Sequence, residues 1–269
     1  MKTTIALFVI LLLASCNSTK QASTSGGSIT TATANYLWQS SFPKSFRVSS
    51  DFSAAENTNI EAMGNQWESS LSNKIDFFSY GSRITNNNNP VADGIFAIQK
   101  STDWYYTDYP DALAVTQIWG TIYNRGTASA YTVIQEADIL MNYEFFKFDD
   151  PTITYDYDLR TVMLHEMGHF LGLQHVEKTS DRTQSVMYPS IYYTEIKRIP
   201  KSRDIADLAS KYNVTLGALS ANAIVAEKPA LVPMDAGQPV SIVIELKANG
   251  DCVHHQDGVE YERHHVKLK

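Results

Sequence analysis

Cysteine is scarce in this sequence. Only Cys16 and Cys252 occur among 269 residues, so a framework of several disulfides is excluded and the fold must rely on core packing. If the Cys16 thiol is modified, no intramolecular disulfide can form, because Cys252 is the only other cysteine. Cys252 is then a buried apolar side chain or a free thiol, and the first of these is favoured.

Runs of positive charge are also missing. No stretch of consecutive lysine or arginine exceeds two residues, and the formal net charge is −7. Proteins that bind nucleic acid need clustered cations to neutralise phosphates, so nucleic acid is excluded as a partner. The hydrophobic content of 43% and the charged content of 19% are instead typical of a globular protein with one sizeable core.

Long apolar runs are absent beyond the N-terminus. No later segment approaches the roughly 18 residues that a membrane-spanning helix needs. The run from Ile5 to Leu13, preceded by Lys2, is too short to span a membrane and indicates an export signal over residues 1–15. Leu13-Ala14-Ser15-Cys16 resembles the lipoprotein box of exported bacterial proteins, in which the cysteine is acylated. The alternative is an ordinary signal peptide followed by an unrelated cysteine.

The segment after this cysteine is rich in serine, threonine, glycine and alanine. Such a composition cannot bury enough apolar surface to fold, so residues 16–35 are predicted to be a flexible tether from a lipid anchor on Cys16. Asn17, rather than aspartate, follows the cysteine, which favours the outer membrane. We therefore expect an exported lipoprotein of the cell envelope or surface that is anchored to a membrane without spanning it.

Between residues 36 and 213, helical and β patterns alternate. Apolar residues recur at helical spacing in two segments, and four further segments have the composition of strands. The first helical face comprises Ile60, Met63, Trp67 and Leu71, and the second lies within Ser202 to Tyr212. The predicted strands are Phe46–Val48, Ile75–Phe78, Ala112–Ile122 and Tyr131–Asn142. We expect the last two strands to form a hairpin.

Residues 214–269 have a different pattern. Large apolar side chains occupy alternate positions from Val240 to Leu246, and Asn249-Gly250 and Asp257-Gly258 are turn pairs. This pattern predicts a small antiparallel meander. The segment is therefore a β-rich C-terminal extension, and its sequence indicates no role.

Histidine is absent before residue 165, and three then follow within one short stretch, LHEMGHFLGLQH. Asp158 is predicted to cap a helix that carries His165 and His169 on one face, where their rings can converge on one ion. Gly172 can adopt the left-handed conformation that ends a helix, so the chain can return His175 to the same ion. Three nitrogen ligands leave the fourth position of a tetrahedral zinc site to water, as in catalytic sites.

Glu166 follows the first of these histidines. The arrangement H-E-x-x-H places a carboxylate beside a metal-bound water, where it can act as a general base. The longer pattern from His165 through Gly172 to His175, with Ser185-Val186-Met187-Tyr188-Pro189 downstream, resembles the metzincin zinc proteases. The segment S-x-M-Y-P is most similar to the matrixin branch, and a looser resemblance covers about residues 38–213.

This resemblance implies a fold and a reaction. It implies an α/β (α+β) domain over residues 36–213, with a twisted mixed sheet, an active-site helix and a C-terminal helix. It also implies a zinc endopeptidase that acts on proteins or peptides, with one catalytic Zn²⁺ and with Glu166 activating the water. Met187 would form the apolar floor beneath the imidazoles. Tyr188, Pro189 and Tyr192 would line the wall of a substrate subsite.

The sequence also departs from the matrixin pattern. No Pro-Arg-Cys-Gly segment precedes the domain, so inhibition by a thiol from an N-terminal prosegment is not expected. Because histidine is absent before residue 165, the second, structural zinc of the family has no imidazole ligands. Arg203 precedes Asp204 at the position where matrixins carry a second aspartate that receives a freed N-terminus.

Two assignments concern substrate and calcium. An extended substrate is predicted to pair with an edge strand, either Tyr131–Asn142 or the strand that begins at Ala112. Calcium binding is an open alternative for a loop with three aspartates, although acidic loops are usually only solvated. The three are Asp103, Asp108 and Asp111.

Two further alternatives concern the C-terminal histidines and the overall function. We expect the four histidines to be solvated, and the alternative is a second metal site that they form with the nearby Cys252. Adjacent histidines in a strand are expected to face opposite sides of the sheet. The four are His254, His255, His264 and His265. The alternative function is a surface lipoprotein binding module, or adhesin, whose metal site is vestigial or structural. The oligomeric state is not indicated.

Overall fold

The computed structural model describes residues 35–38, 40–149, 156–176, 182–189, 191–216, 231–248 and 252–264. The predicted export signal, Cys16 and His265 lie outside these residues, as does the tether except for its last residue. Within the described part, no helix is both long and apolar enough to cross a membrane.

Three helices and eleven strands make up the described part of the chain. The helices are α1 (Ala54–Ser70), α2 (Leu159–Phe170) and α3 (Ser202–Lys211). The strands are β1 (Asn35–Trp38), β2 (Lys44–Val48), β3 (Phe78–Tyr80), β4 (Phe96–Ser101), β5 (Ala112–Tyr123), β6 (Tyr131–Asn142), β7 (Phe148–Asp149), β8 (Tyr157–Asp158), β9 (Gln238–Lys247), β10 (Cys252–Gln256) and β11 (Val259–His264).

Nine of the strands form one mixed sheet. Its order is β11-β10-β9-β5-β6-β4-β2-β3. Strand β1 pairs with the first part of β6, and β4 pairs with the last part. The pairings among β1, β2, β3, β4 and β6 are parallel, whereas β5 pairs antiparallel with β6. The predicted α/β (α+β) fold with a twisted mixed sheet and the predicted β5–β6 hairpin are therefore confirmed.

Three predicted strands need correction. Neither candidate for the edge strand is at an edge: β6 (Tyr131–Asn142) has β5 on one side and β4 and β1 on the other, and β5, which begins at Ala112, lies between β6 and β9. The strand predicted over Ile75–Phe78 instead begins at Phe78 and runs to Tyr80, since its parallel pairing with β2 starts at that residue.

The C-terminal extension continues the sheet. Strand β9 pairs antiparallel with β5 along nearly its whole length, from Ala112 to Ile122, and β10 and β11 follow as an antiparallel meander. The meander predicted from the alternating apolar residues is therefore present. Its apolar face packs into the main core through Ile242, Ile244 and Leu246.

The helices pack on this sheet and on one another. Ser53 and Glu56 form a capping box that starts α1, since each side chain accepts a hydrogen bond from the other residue's backbone N–H. Trp67, fully buried on α1, donates its indole N–H to the carbonyl of Leu164 at 3.0 Å. Helix α2 packs against α1 and against strands β5 and β6, so its side chains are held by both helix and sheet.

Candidate metal centre

Helix α2 starts where the sequence predicts. Asp158 caps it by accepting the backbone N–H of Thr161 at 2.9 Å, and the Arg198 guanidinium holds the same carboxylate. Every residue from Leu159 to Phe170 except Arg160 is buried. The histidines on this helix therefore lie in a low-dielectric interior and not on a solvated face.

Gly172 ends the helix in the conformation that the sequence predicts. Its φ is +82°, in the left-handed region, and a Cβ at this position would lie 2.3 Å from the carbonyl oxygen of Tyr36. Only glycine satisfies both the backbone angle and this close approach. The turn redirects the chain so that His175 comes back beside the helix.

The ring nitrogens of the three histidines converge. The Nε2 atom of His165 lies 3.0 Å from Nε2 of His169 and 3.2 Å from Nε2 of His175. The Nδ1 atoms of His165 and His169 contact the carbonyl oxygens of Val186 and Leu173 at 2.9 and 3.0 Å. A carbonyl only accepts, so each of these Nδ1 atoms carries the proton and each Nε2 presents a lone pair.

These facing lone pairs fit a bound cation. Burial lowers the pKa of His165 to about 4, and burial together with neighbouring histidines holds the pKa of His169 and His175 well below the ordinary value. The rings are therefore neutral, and their lone pairs repel one another without a positive ion between them. Nitrogen ligands of a tetrahedral zinc ion lie about 3.3 Å apart, given Zn–N distances of about 2.0–2.1 Å. The observed separations match this spacing.

Glu166 is a buried carboxylate with one unused oxygen. Its Oε2 accepts a hydrogen bond from the Thr116 hydroxyl at 2.5 Å, while Oε1 has no partner among the described residues. Burial raises the pKa of Glu166 to about 8, and the Thr116 hydrogen bond opposes this shift. An unpartnered buried oxygen costs about 1–3 kcal/mol, so packing alone does not account for this side chain.

Met187 lies directly under the helix that carries the histidines. It is buried, and a Cβ at Gly168 would lie 2.3 Å from its sulfur, which shows how closely the two residues approach. The Met187 carbonyl also accepts the backbone N–H of Val176, the residue after the third histidine, at 3.1 Å. Met187, the predicted apolar floor, is therefore in contact with α2.

Asp204 on α3 fixes the turn that contains Met187. Its carboxylate accepts the backbone N–H groups of Val186 and Lys201 at 2.9 and 2.8 Å, and it also accepts the hydroxyl of Ser185. The Val186 carbonyl in turn accepts the Nδ1–H of His165, so α3 positions this histidine through a short chain of hydrogen bonds.

The three residues assigned to a substrate subsite follow this turn. Tyr188 and Pro189 are buried, and Tyr192 is half-buried. The Lys197 ammonium lies 5.5 Å from the centre of the Tyr188 ring, and the Arg182 guanidinium lies 4.3 Å from the centre of the Tyr192 ring. Each of the two aromatic rings therefore has a cation over its face.

A second set of residues reaches the centre from the C-terminal extension, whereas the sequence suggested these residues only as a separate metal site, the alternative to solvated histidines. Cys252, on β10, is buried and free, and it joins His165, His169 and His175 in a group whose ligand atoms lie within 4.8 Å of one another. The prediction that Cys252 is buried is confirmed. The alternation along β10 places Cys252 and His254 on the same face, which is the signal that was available in the sequence.

The expectation that the C-terminal histidines are solvated is wrong for the three that the structure describes. His254 and His255 are buried, and the His264 side chain is 10% exposed. Nε2 of His254 lies 2.9 Å from Nδ1 of His175, and Nδ1 of His254 contacts the hydroxyl of Tyr261 at 3.2 Å. His255 faces the opposite side of the sheet, as predicted for adjacent strand residues, where its ring contacts Tyr109.

Among the described residues, two groups of side chains are close enough to share a metal ion. One is the set of three histidines with Cys252, and the other comprises His175, His254 and His264. Neither includes a carboxylate, and the loop aspartates from Asp103 to Asp111 are in neither group. The hard oxygen ligands that calcium requires are therefore not assembled at either place.

Comparison with known proteins agrees with this site. The family model for matrixins matches residues 32–213, which is more than half of the chain and contains all three histidines, Glu166 and Met187. No curated protein matches the chain. The match ends before strand β9, so it does not cover the extension that carries Cys252. The convergence of the histidines, the buried glutamate and this match lead to one conclusion: the chain belongs to the matrixin family of zinc metallopeptidases.

Proposed function

We propose that this matrixin is an endopeptidase that hydrolyses peptide bonds within proteins or peptides, with His165, His169 and His175 holding the zinc and Glu166 acting as the general base. The observation that carries the proposal is the convergence of three neutral imidazoles, two of them with their Nε2 lone pairs facing each other at 3.0 Å, next to a buried carboxylate with an unpartnered oxygen.

The chemistry divides between the metal and the chain. A bound zinc ion would polarise the peptide carbonyl and make water acidic enough to attack at neutral pH. Glu166 accepts the proton of the attacking water and delivers it to the leaving amine. Thr116 holds the carboxylate through Oε2, so that Oε1 is the oxygen available for this transfer.

The substrate side of the proposal rests on the turn after Met187. Tyr188, Pro189 and Tyr192 form one wall of a subsite for a substrate side chain, with the rings held by cation contacts. An extended peptide would add beside β5, the strand of the family domain next to β6, and there it would take the place that β9 occupies.

The test is a matched pair of glutamine substitutions. Glu166→Gln should keep stoichiometric zinc and lose about 10²–10⁴-fold in peptide cleavage, because general-base catalysis contributes this much. Glu136→Gln, which changes a buried glutamate on β6 that accepts the backbone N–H groups of Asp93 and Gly94, should cleave at the rate of its parent. Both are compared in the natural chain and in a Cys252→Ser chain, because Cys252 lies within ligand distance of the metal.

The assay follows cleavage of a denatured protein mixture by mass spectrometry of the new termini. Undiminished cleavage by Glu166→Gln removes the proposed role of this residue. If neither parent chain cleaves any peptide with zinc bound, the peptidase proposal is wrong.

A binding module with a structural metal is the second candidate function, and one observation favours it. Three histidines and a cysteine form a closed set of four ligands, which is typical of structural zinc sites. A structural site has no use for a buried glutamate with an unpartnered oxygen, so the endopeptidase is the better account. Zinc bound without cleavage in the Cys252→Ser chain would favour the binding module.

We also propose that the protein is an exported lipoprotein anchored through acylated Cys16, with residues 16–35 as its tether and 36–213 as the peptidase domain. Support comes from Lys2, the short apolar run after it and the small residues before the cysteine. Acyl chains would hold the enzyme at the membrane surface. The residue after the cysteine is Asn17 and not aspartate, which favours the outer membrane, where the enzyme would act on proteins outside the cell.

A further inference from the structure

The C-terminal extension covers the metal centre. Strand β9 pairs with the outer edge of β5 from Ala112 to Ile122, so the backbone groups with which an extended substrate would pair are already in use. A peptide adding to this edge has to displace β9. The extension therefore occupies the proposed substrate-binding edge.

The register of these strands determines what reaches the metal. Ala114 on β5 pairs with Leu246 on β9, and Leu246 pairs with Cys252 on β10. In the neighbouring row, Thr116 pairs with Ile244, and Ile244 pairs with His254. Since side chains directly opposite each other share a face of the sheet, Cys252 and His254 face the same side as Thr116, the residue that holds Glu166.

The contacts of His254 fasten the extension to the centre. Its Nε2 lies 2.9 Å from Nδ1 of His175, and its Nδ1 contacts Tyr261, whose hydroxyl in turn contacts that of Tyr36 on β1. His264, on β11, packs with its ring centre 4.8 Å from that of His175. These contacts hold β10 directly over the third histidine.

We propose that Cys252 is the fourth ligand of the metal, so that the docked extension holds the centre in a closed form that excludes water and substrate. The four ligand atoms lie within 4.8 Å of one another and all four residues are buried. Nitrogen and sulfur ligands of a tetrahedral zinc ion lie about 3.3–3.6 Å apart, so small side-chain adjustments complete the set. The thiol proton is released to solvent when the sulfur binds, since the ligand is the thiolate.

This inference rests on the proposed function, because it assigns the fourth position of the same metal. It makes the extension an inhibitory segment built into the chain, which acts from the C-terminal side of the domain. It also gives a role to the buried thiol at this centre. Opening the site requires β10 to leave, since Cys252 and His254 move with that strand.

The test uses cobalt in place of zinc, because a thiolate bound to Co²⁺ gives a sulfur-to-metal charge-transfer band in the near ultraviolet that imidazole does not give. The chain carries Cys16→Ser throughout, so that Cys252 is its single cysteine. We expect this parent to bind one Co²⁺ and show the band. Cys252→Ser should bind one Co²⁺ without showing the band. Val253→Ala, which alters the next residue on the opposite face of β10, should keep it.

A second measurement asks whether the fourth position is closed. Acetohydroxamate, a small metal ligand that does not need the strand edge, should change the visible spectrum of Co²⁺ in Cys252→Ser at lower concentration than in the parent. If Cys252→Ser does not fold, Cys252→Ala takes its place, and the parent band remains decisive.

The outcomes separate the two proposals. A parent chain that binds one Co²⁺ without the band overturns the role of Cys252 and leaves the peptidase intact. A parent that shows the band supports the fourth ligand and leaves the peptidase to the Glu166→Gln comparison, because β9 still pairs with β5 in Cys252→Ser. A parent that binds no metal overturns both.

Discussion

Replacing Gly172 by alanine tests how the turn after α2 delivers the third histidine. A non-glycine residue at φ +82° costs about 1–2 kcal/mol in left-handed strain. In addition, the new Cβ would lie 2.3 Å from the Tyr36 carbonyl oxygen. That carbonyl accepts the Lys211 ammonium at 2.7 Å, and its strand pairs with β6, so it cannot move freely. Overpacking of this kind costs about 1–3 kcal/mol.

Gly126 offers a matched control for this substitution. Its φ is +79°, and a Cβ there would have no atom within 4 Å, so Gly126→Ala introduces the same backbone strain without the contact. We expect Gly172→Ala to be less stable than Gly126→Ala by roughly 2 kcal/mol, which lowers Tm by about 4–8 °C in a domain of this size. It should also bind zinc more weakly, since His175 follows the turn.

The two variants are compared by urea unfolding, by thermal unfolding and by competition for zinc with a chelating dye. Equal stability of the two alanine variants would refute the argument, because it would show that the close approach to Tyr36 contributes nothing. Unchanged zinc affinity in Gly172→Ala would show that the turn does not position His175.

Four other predictions concern packing, pH, metal and location. Trp67→Phe should lower the free energy of unfolding by roughly 2 kcal/mol, measured in urea, because the Leu164 carbonyl loses its donor and a cavity remains. Burial raises the pKa of Asp138 from 3.8 to about 7, so the folded state holds a proton that the unfolded state has lost. The stability of the metal-free protein should therefore fall as the pH rises between these values, and Asp138→Asn should flatten that slope in urea titrations. Removal of zinc with a chelator should lower Tm, since the facing lone pairs lose their cation, and readdition of zinc should restore it. Cys16→Ser should move the protein from the membrane fraction to the soluble fraction of the cell, and continued anchoring would rule out the lipoprotein box.

The local parts of the fold and of the site could be predicted from the sequence. Asp158 caps α2, and Gly172 ends the turn after it, because both depend on backbone geometry within a few residues. His165 and His169 share a face because they are one helical turn apart. The helix carrying Trp67 and the β5–β6 hairpin were also predictable, since each follows from a repeating pattern over neighbouring residues.

The errors arose where contacts join distant segments. The apolar alternation of β9 predicts a strand but does not say which edge it joins, so its pairing with β5 was not foreseen. For the same reason His254 was expected to be solvated, although it is buried against His175. The interior position of β6 was also missed, because β4 and β1 approach it from earlier parts of the chain.

The sequence by itself determined which histidines α2 and the turn after it bring together, because helical periodicity and a glycine restrict local geometry to few possibilities. It also determined the strands of the C-terminal extension. Only the tertiary structure decided that the extension lies along β5 and brings Cys252 to the three histidines. Strand register is set by side-chain packing between segments that are far apart in the chain, and such packing leaves no short-range pattern in the sequence.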